Sequence, residues 1–252
     1  MTPKNAELKH MVLAYLNQCK ELTAERIDAA LKQDLFKPIF HASLSAEGVL
    51  SHLSGPSLRP SLNGARSIVL RLPALVALGQ ISAAEGELRR FLELVLWTVY
   101  FTDHPREWSE FQGKSNKGFS RDPRSPISYA AHREFGFYLD YARELMEGEP
   151  SGLGTRAVNE IKQTIYKLNA TIHPGTLARD GAKVAPFDDL SDDRLRRFSN
   201  LQCSTLSNAC LLLAAYRKVR FNNFPAGSRA HFDWLIKTTN RKQIKAGPFG
   251  LD

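Results

Sequence analysis

The chain has 252 residues, of which 43% are hydrophobic and 24% charged, and its formal net charge is +8. This length and composition predict a globular protein with a substantial hydrophobic core. The opening MTPKNAELKH lacks the apolar run of a signal peptide, and no apolar stretch approaches the roughly 18 residues of a membrane span. We therefore expect a soluble, cytoplasmic protein without membrane contacts.

Apolar residues recur at helical spacing along most of the chain, and no stretch alternates convincingly at period two. Two N-terminal helices are predicted near residues 6–19 and 23–33. A longer helix begins at Ser82, where Glu85 completes a capping box. The four longest apolar stripes are Leu88, Phe91, Leu92, Val95, Leu96 and Val99; Phe135, Tyr138, Ala142 and Leu145; Val158, Ile161, Ile165, Leu168 and Ile172; and Leu195, Phe198, Gln202, Thr205, Ala209, Leu212 and Tyr216. We predict an all-α fold, a bundle of about five to seven helices.

Three polar connections organise the chain. Residues 54–64 are rich in proline, glycine and serine, residues 103–125 are polar and basic, and a third connection follows His173. Loops of this length in compact domains are usually functional or disordered. We divide the chain into an N-terminal helical extension (1–55), a helical bundle (65–238) and a basic C-terminal tail (239–252).

The positive charge is concentrated near the C-terminus. Between residues 217 and 245, which we call the basic segment, eight basic residues face a single acid, Asp233. The basic residues are Arg217, Lys218, Arg220, Arg229, Lys237, Arg241, Lys242 and Lys245. Aromatic residues are interleaved with them, as expected for a nucleic-acid-binding surface with stacking side chains. A solvated helix face followed by a basic tail is the alternative interpretation.

The common signatures of cofactor and metal chemistry are missing from the sequence. There is no glycine-rich phosphate loop, no His-Glu-x-x-His motif, no paired-cysteine site and no Gly-x-Ser-x-Gly elbow. The scattered Cys19, Cys203 and Cys210 are interpreted as small buried apolar residues. We expect neither a cofactor nor a metal ion.

Two histidines end apolar helical runs and are followed by proline. His104 lies in FTDHPREW and His173 in ATIHPGT. Proline disfavours the helical conformation in the residue before it, so both histidines are predicted helix ends that can cap the last carbonyls. At 100° per residue, a polar stripe of Lys162, Tyr166 and Asn169 leads to His173. Such a stripe either lines a cleft between helices or marks the boundary between core and solvent.

Two segments resemble a known family. IYKLNATIHPG and ELRRFLELVLWTVYFTDHP are similar to helices of HEPN-type all-helical proteins, many of them toxins, abortive-infection proteins and antiviral effectors of bacteria. The resemblance covers about residues 82–216. It implies a helical bundle and homodimerisation. In RNA-cleaving members of the family, an arginine is followed by four to six residues and then a histidine, often with a polar residue immediately after the arginine.

The expected arginine is absent here. Leu168 stands where the arginine would be, and the nearest cation is Lys167. Arg90 and Glu93, three residues apart, are close enough to pair. They either form a solvent-facing ion pair, or one arginine, Arg89 or Arg90, lies with Glu93 against His173 across a helix interface and sets its protonation state.

Two hypotheses follow. In the first, the chain is a defence-associated or accessory protein without its own catalysis that binds RNA, other nucleic acid or a protein partner. In the second, it is a metal-independent ribonuclease with His173 as general acid or base. Asn169 would then position the phosphate, and Lys167 or a distant arginine would supply charge.

Overall fold

The computed structural model describes residues 34–53, 59–111, 135–149, 152–172, 191–219 and 223–240, with isolated helical positions between residues 17 and 32. Within these ranges the chain forms eight α-helices and no strand, which confirms the predicted all-α fold. The helices are α1 (Phe36–Leu53), α2 (Arg59–Ala77), α3 (Ile81–Asp103), α4 (Pro105–Phe111), α5 (Phe135–Glu147), α6 (Leu153–Ile172), α7 (Asp192–Tyr216) and α8 (Ala226–Asn240).

The long helix α7 is the centre of the bundle, because it packs against α1, α3, α6 and α8. Nearly every side chain in its second half is buried, including polar ones. Several of these polar groups find partners inside the bundle: the Gln202 amide nitrogen donates to the Ile39 carbonyl at 3.2 Å and to Ser43 Oγ at 2.7 Å on α1. Thr205 donates back to the Leu201 carbonyl at 2.6 Å. Buried polar groups that are hydrogen-bonded in this way fix how α1 lies against α7.

The predicted stripe on α3 is buried, as are Val158, Ile161, Ile165 and Leu168 on α6 and the α7 stripe from Leu195 to Leu212, because helical periodicity reports directly which face packs inward. Tyr216, at the end of the α7 stripe, is half-buried, and the side chain of Ile172 lies outside the described part of the chain. The stripe on α5 is wrong at its end: Leu145 is 39% exposed, and Met146 takes the buried position. The capping box is also wrong. The N-cap of α3 is Gln80, two residues before the predicted Ser82, and Ser82 lies inside the helix, where its Oγ accepts a hydrogen bond from Arg194 at 2.9 Å.

Helices α1 and α2 lie in segments that the sequence predicted to be, respectively, an N-terminal extension and a connection. Helix α1 lies within the segment 1–55 and shares the hydrophobic core with the bundle, packing against α2, α7 and α8. Helix α2 occupies much of the proline-rich stretch; Pro60 stands in its first turn, where proline is tolerated, and Pro73 stands inside it. The predicted helices near residues 6–19 and 23–33 lie outside the continuously described ranges.

Helices α5 and α6 form a hairpin against α3. Tyr138 on α5 lies against Trp97, and Tyr141, one turn later, lies against Tyr100 and His104, so α5 runs in the same direction as α3. A tight turn then reverses the chain, since Thr155 Oγ1 donates to the Met146 carbonyl at 2.9 Å. Helix α6 therefore runs back along α3. No helix in the described ranges is long and apolar enough to cross a bilayer.

Candidate functional site

His104, the first of the two His-Pro histidines, ends α3 as predicted. Its backbone N–H donates to the Tyr100 carbonyl, and its ring Nδ1 lies 2.8 Å from the same oxygen. Because a carbonyl only accepts, Nδ1 carries the proton and the ring caps the helix. The imidazole also stacks on the Tyr100 ring at 4.2 Å, and Pro105 starts α4 immediately afterwards. His104 is thus a structural helix cap.

A carboxylate beside His104 joins three helices. Asp103 at the end of α3 accepts hydrogen bonds from Tyr141 of α5 at 2.7 Å and from Tyr216 of α7 at 2.8 Å. Tyr100 donates to Glu107 of α4 at 2.8 Å. Burial and then the bond to Asp103 raise the pKa of both Tyr141 and Tyr216 above the ordinary tyrosine value. We call Asp103, Tyr141 and Tyr216 the tyrosine clasp. No pattern in the sequence predicted it.

The second His-Pro histidine, His173, lies outside the described residues, but the helix leading to it is described. The predicted stripe is present on α6: Lys162 and Tyr166 are exposed, and Asn169 is half-buried. The Asn169 Oδ1 atom is buried and accepts no hydrogen bond within the described part of the chain. An unsatisfied buried acceptor is uncommon in folded proteins, so the end of α6 differs chemically from the end of α3.

Leu168, at the position of the family's arginine, is fully buried in the hydrophobic core. An arginine at this position would point inward and away from any surface site. Lys167 is exposed on the other side of the helix. By the helical rotation of about 100° per residue, Lys167 lies roughly 120° around from the direction of residue 173.

The charged residues on α3 pair differently from the prediction. Glu93 forms its ion pair with Arg89, one turn earlier, at 3.4 Å, and both side chains are about a third exposed. Arg90 is exposed. The predicted pairing of Arg90 with Glu93 is wrong, because the i,i+4 geometry brings the side chain of Arg89 onto the same face as Glu93.

The antiparallel course of α6 brings its end back to the part of α3 that carries this pair. Asn169 lies sixteen residues after Leu153, or about 24 Å along the helix axis. Glu93 and Arg89 lie ten and fourteen residues before Asp103, or about 15 to 21 Å from the end of α3. Since α6 begins near the end of α3 and packs along it, Asn169 and the Arg89–Glu93 pair lie toward the same end of the bundle.

The described part of the basic segment is exposed where α7 ends. Arg217 and Lys218 are both exposed, Arg229 on α8 is half-buried, and Lys237 lies in α8. Arg220, Arg241, Lys242 and Lys245 lie outside the described residues. The turn is well defined: Lys218 N–H donates to the Ala215 carbonyl and Val219 N–H to the Ala214 carbonyl. This is the Schellman pattern, with Lys218 at a φ of 51° where glycine is the usual residue.

The described aromatic residues interleaved with these cations do not form a stacking surface, and Phe221 lies outside the described residues. Phe224 and Phe232 are buried and stack on each other at 5.4 Å. Trp234 meets the His41 ring edge-on at 4.1 Å, and His231 Nδ1 lies 3.2 Å from Ser45 Oγ on α1. These rings hold α8 against α1. The sequence could not distinguish core aromatics from stacking ones, because both kinds recur at helical spacing.

Among the described residues, no cluster of three or more histidine, cysteine, aspartate or glutamate side chains has the geometry to hold a metal ion. Comparison with known proteins gives no relative to guide the assignment: no protein-family model, no curated protein and no solved structure matches the chain. The functional conclusion therefore depends on the residues themselves.

Proposed function

We propose that the chain is a non-catalytic helical binding protein, of the accessory kind expected from its resemblance to HEPN-type defence proteins, and that its ligand is nucleic acid. The observation that supports this best is the exposure of Arg217 and Lys218 at a well-defined turn that opens the basic segment. Exposed cations held on a rigid element attract phosphates without a large ordering cost.

The buried Leu168 supports the absence of catalysis. A catalytic arginine stabilises the charge that develops on the phosphate, and its guanidinium must reach the scissile group. Position 168 faces the core, and the neighbouring Lys167 offers only a point charge on a different face. The family mechanism would need a cation from elsewhere in the bundle.

Binding is tested by titrating fluorescein-labelled single-stranded RNA and duplex DNA with the full-length protein and following anisotropy at several salt concentrations. Arg217→Gln combined with Arg229→Gln should weaken binding and flatten its salt dependence. Lys218→Gly is the sharper variant, because it removes a charge and also relieves a positive φ, so a weaker complex cannot be attributed to unfolding.

Lys37→Gln serves as the matched control. Lys37 is an exposed lysine on α1, paired with Asp34 at 2.8 Å and outside the basic segment. We expect this variant to bind like the wild type. Equal binding by the basic-segment variants and the wild type would contradict the proposal and direct attention to a protein partner.

A second candidate function, metal-independent ribonuclease, is favoured by the unsatisfied Asn169 Oδ1 atom beside the end of α6. The Arg89–Glu93 pair lies toward the same end of the bundle and would be the nearest source of a guanidinium on α3. The test is RNA cleavage in EDTA by the wild type, by His173→Ala and by the control Asn200→Ala, which changes an exposed amide on α7. Cleavage lost only with His173→Ala would establish this function, and intact RNA at high protein concentration would exclude it.

Homodimerisation, implied by the resemblance alone, stays a prediction. Analytical ultracentrifugation across a range of protein concentrations measures it directly. A single species with the mass of one 28.2 kDa chain would contradict it.

A further inference from the structure

Helix α6 has a polar face of uniform character opposite its buried stripe. We call this the α6 outer face; its members are Asn159, Lys162, Gln163, Tyr166 and Lys167, all of them exposed. The opposite side of the helix carries Val158, Ile161, Ile165 and Leu168, which are buried in the core. The inner stripe therefore fixes the helix rotation, and the outer face is presented on a rigid element.

Tyr166 is the distinctive residue of this face, because its side chain is 61% exposed. The three other tyrosines discussed above direct their hydroxyl groups to carboxylates within the bundle. A single exposed aromatic residue is ordinary on a protein surface. The polar and charged residues around Tyr166 on the helix distinguish it from other exposed aromatic residues.

The neighbours of Tyr166 are cations and amides. Taking about 100° per residue, Lys162 lies roughly 40° to one side of Tyr166 and Lys167 roughly 100° to the other. Asn159 and Gln163 fall within roughly 60° of the ring and offer both donors and acceptors. The exposed acid Glu160 lies about 120° from Tyr166, on the far side of Lys167. The nearest charge to the ring around the helix is therefore the positive charge of Lys162.

An aromatic ring between cations matches the chemistry of an unpaired nucleotide. Bases stack on exposed aromatic rings whatever their sequence, while cations follow the phosphates. In a duplex the bases are stacked inside and do not reach such a ring. Lys162 lies one turn before Tyr166, and Lys167 lies about 7.5 Å further along the helix axis than Lys162 and roughly 140° around from it, so the two lysines would contact phosphates on opposite sides of a base stacked on Tyr166.

We propose that the α6 outer face is a binding site for single-stranded nucleic acid, in which a base stacks on Tyr166 and the adjoining phosphates contact Lys162 and Lys167. This inference rests on the proposed nucleic-acid-binding function and adds the surface that distinguishes single strands from duplexes. Tyr166 lies about 20 Å along α6 from Leu153, whereas Arg217 ends α7 beside Asp103. The two surfaces are therefore toward opposite ends of the bundle and can be altered independently.

The test compares oligo(U) RNA, oligo(dT) DNA and a duplex of equal length by anisotropy. Tyr166→Ala should weaken binding of at least one single strand by about 5- to 100-fold. Tyr166→Phe keeps the ring, so its affinity for single strands should stay within about twofold of that of the wild type. The affinity of Tyr166→Ala for the duplex should also stay within about twofold of the wild-type value. Lys162→Gln should lower the salt slope for single strands by about 0.7. A preference for RNA over DNA would indicate a contact to the 2′-hydroxyl.

Two controls separate stacking from charge and from folding. Phe40→Ala removes another exposed ring, 50% exposed on α1, and should leave binding unchanged. Heparin carries charge but no bases, so its affinity should be the same for Tyr166→Ala and for the wild type. Because Tyr166 is exposed, the melting temperatures of its variants should match that of the wild type.

The outcomes distinguish this inference from the proposed function. If Tyr166→Ala binds single strands as tightly as the wild type while the basic-segment variants bind weakly, the α6 site is overturned and the proposed function stands. If the wild type binds no nucleic acid at low salt, both are overturned. Loss of single-strand binding confined to the Tyr166 and Lys162 variants supports the α6 site.

Discussion

The ends of α3 and α6 are alike in sequence and different in chemistry. Both helices run into a His-Pro pair, at His104 and at His173. At the end of α3 the polar groups bond to one another: His104 caps the helix, and Asp103 accepts two tyrosine hydroxyls. On α6 the side chain of Tyr166 is presented outward, and Asn169 Oδ1 accepts no hydrogen bond within the described part of the chain. Hydrogen bonds between side chains indicate a structural role at the end of α3, whereas the exposed side chains of α6 are accessible to a ligand.

The largest effect should come from placing the family's arginine on α6. Leu168→Arg introduces a charge into the core at a fully buried position. We expect a loss of about 3–5 kcal/mol in the free energy of unfolding, or failure to fold, because the guanidinium has no described partner there. Urea titration followed by circular dichroism measures the loss. Lys167→Arg, one residue away and exposed, is the control and should be near neutral. Equal stability of the two variants would show that position 168 does not face the core.

Removing the acceptor of the tyrosine clasp should have the next largest effect. Asp103→Ala leaves the hydroxyls of Tyr141 and Tyr216 without their shared partner, at an expected cost of about 1–2 kcal/mol. Asp140→Ala removes a neighbouring exposed carboxylate whose 3.3 Å pair with Arg143 should contribute about 0–0.5 kcal/mol. Denaturant midpoints compare the two. A clasp without structural function would give the same small change for both.

The clasp should also destabilise the fold at alkaline pH. The pKa values of Tyr141 and Tyr216 are raised in the folded chain, so their protonated forms stabilise it below the unfolded value of about 10. That contribution is lost as the pH rises through the folded values. Burial also raises the pKa of Cys203 to about 11 and of Cys210 to about 12, so the decline should start above roughly pH 8.5.

The double variant Tyr141→Phe with Tyr216→Phe isolates the tyrosine part of this decline. We expect its stability to fall less steeply above about pH 10 than that of the wild type. The free energy of unfolding, measured at several pH values by chemical denaturation, provides the comparison. If the free energy of unfolding of the double variant declined with pH as steeply as that of the wild type, the assignment of this decline to Tyr141 and Tyr216 would be contradicted.

The smallest expected effect concerns the turn that opens the basic segment. Lys218 adopts a φ of 51°, whereas the corresponding turn after α2 has Gly79 at 70°. Lys218→Gly should therefore stabilise the fold by about 0.5–1 kcal/mol, and Gly79→Ala should destabilise it by a similar amount. Arg217→Gly, at a right-handed φ of −76°, should not stabilise. Thermal unfolding of the three variants measures these differences, and a destabilised Lys218→Gly would contradict the assigned geometry.

Much of the fold was predictable because helical periodicity is a local signal. The stripes on α3, α6 and α7 each repeat over several turns, and burial follows them. Helices α1 and α2 were not predicted from the sequence: α2 begins inside the connection predicted over residues 54–64, and Pro60 stands in its first turn, where proline is tolerated. The outward placement of Lys162 and Tyr166 was predictable from rotation alone.

The tyrosine clasp was not predictable, because its members are far apart in sequence. Tyr141 and Tyr216 lie 38 and 113 residues after Asp103, and only the packing of α3, α5 and α7 brings them together. Nor does a single sequence show whether an aromatic residue at helical spacing is buried. Phe232 and Tyr166 both follow helical patterns, yet one is in the core and the other is 61% exposed.

The most direct measurement of the contrast between the two regions is photo-crosslinking of the full-length protein to single-stranded RNA containing 5-iodouridine, followed by mass spectrometry of the peptides. A base stacked on a tyrosine should crosslink to it. We predict a crosslink at Tyr166 that duplex RNA does not give, and none at Tyr141 or Tyr216, whose hydroxyls are held by Asp103. Crosslinks at the tyrosine clasp, or their absence from α6 under conditions of saturated binding, would contradict the account.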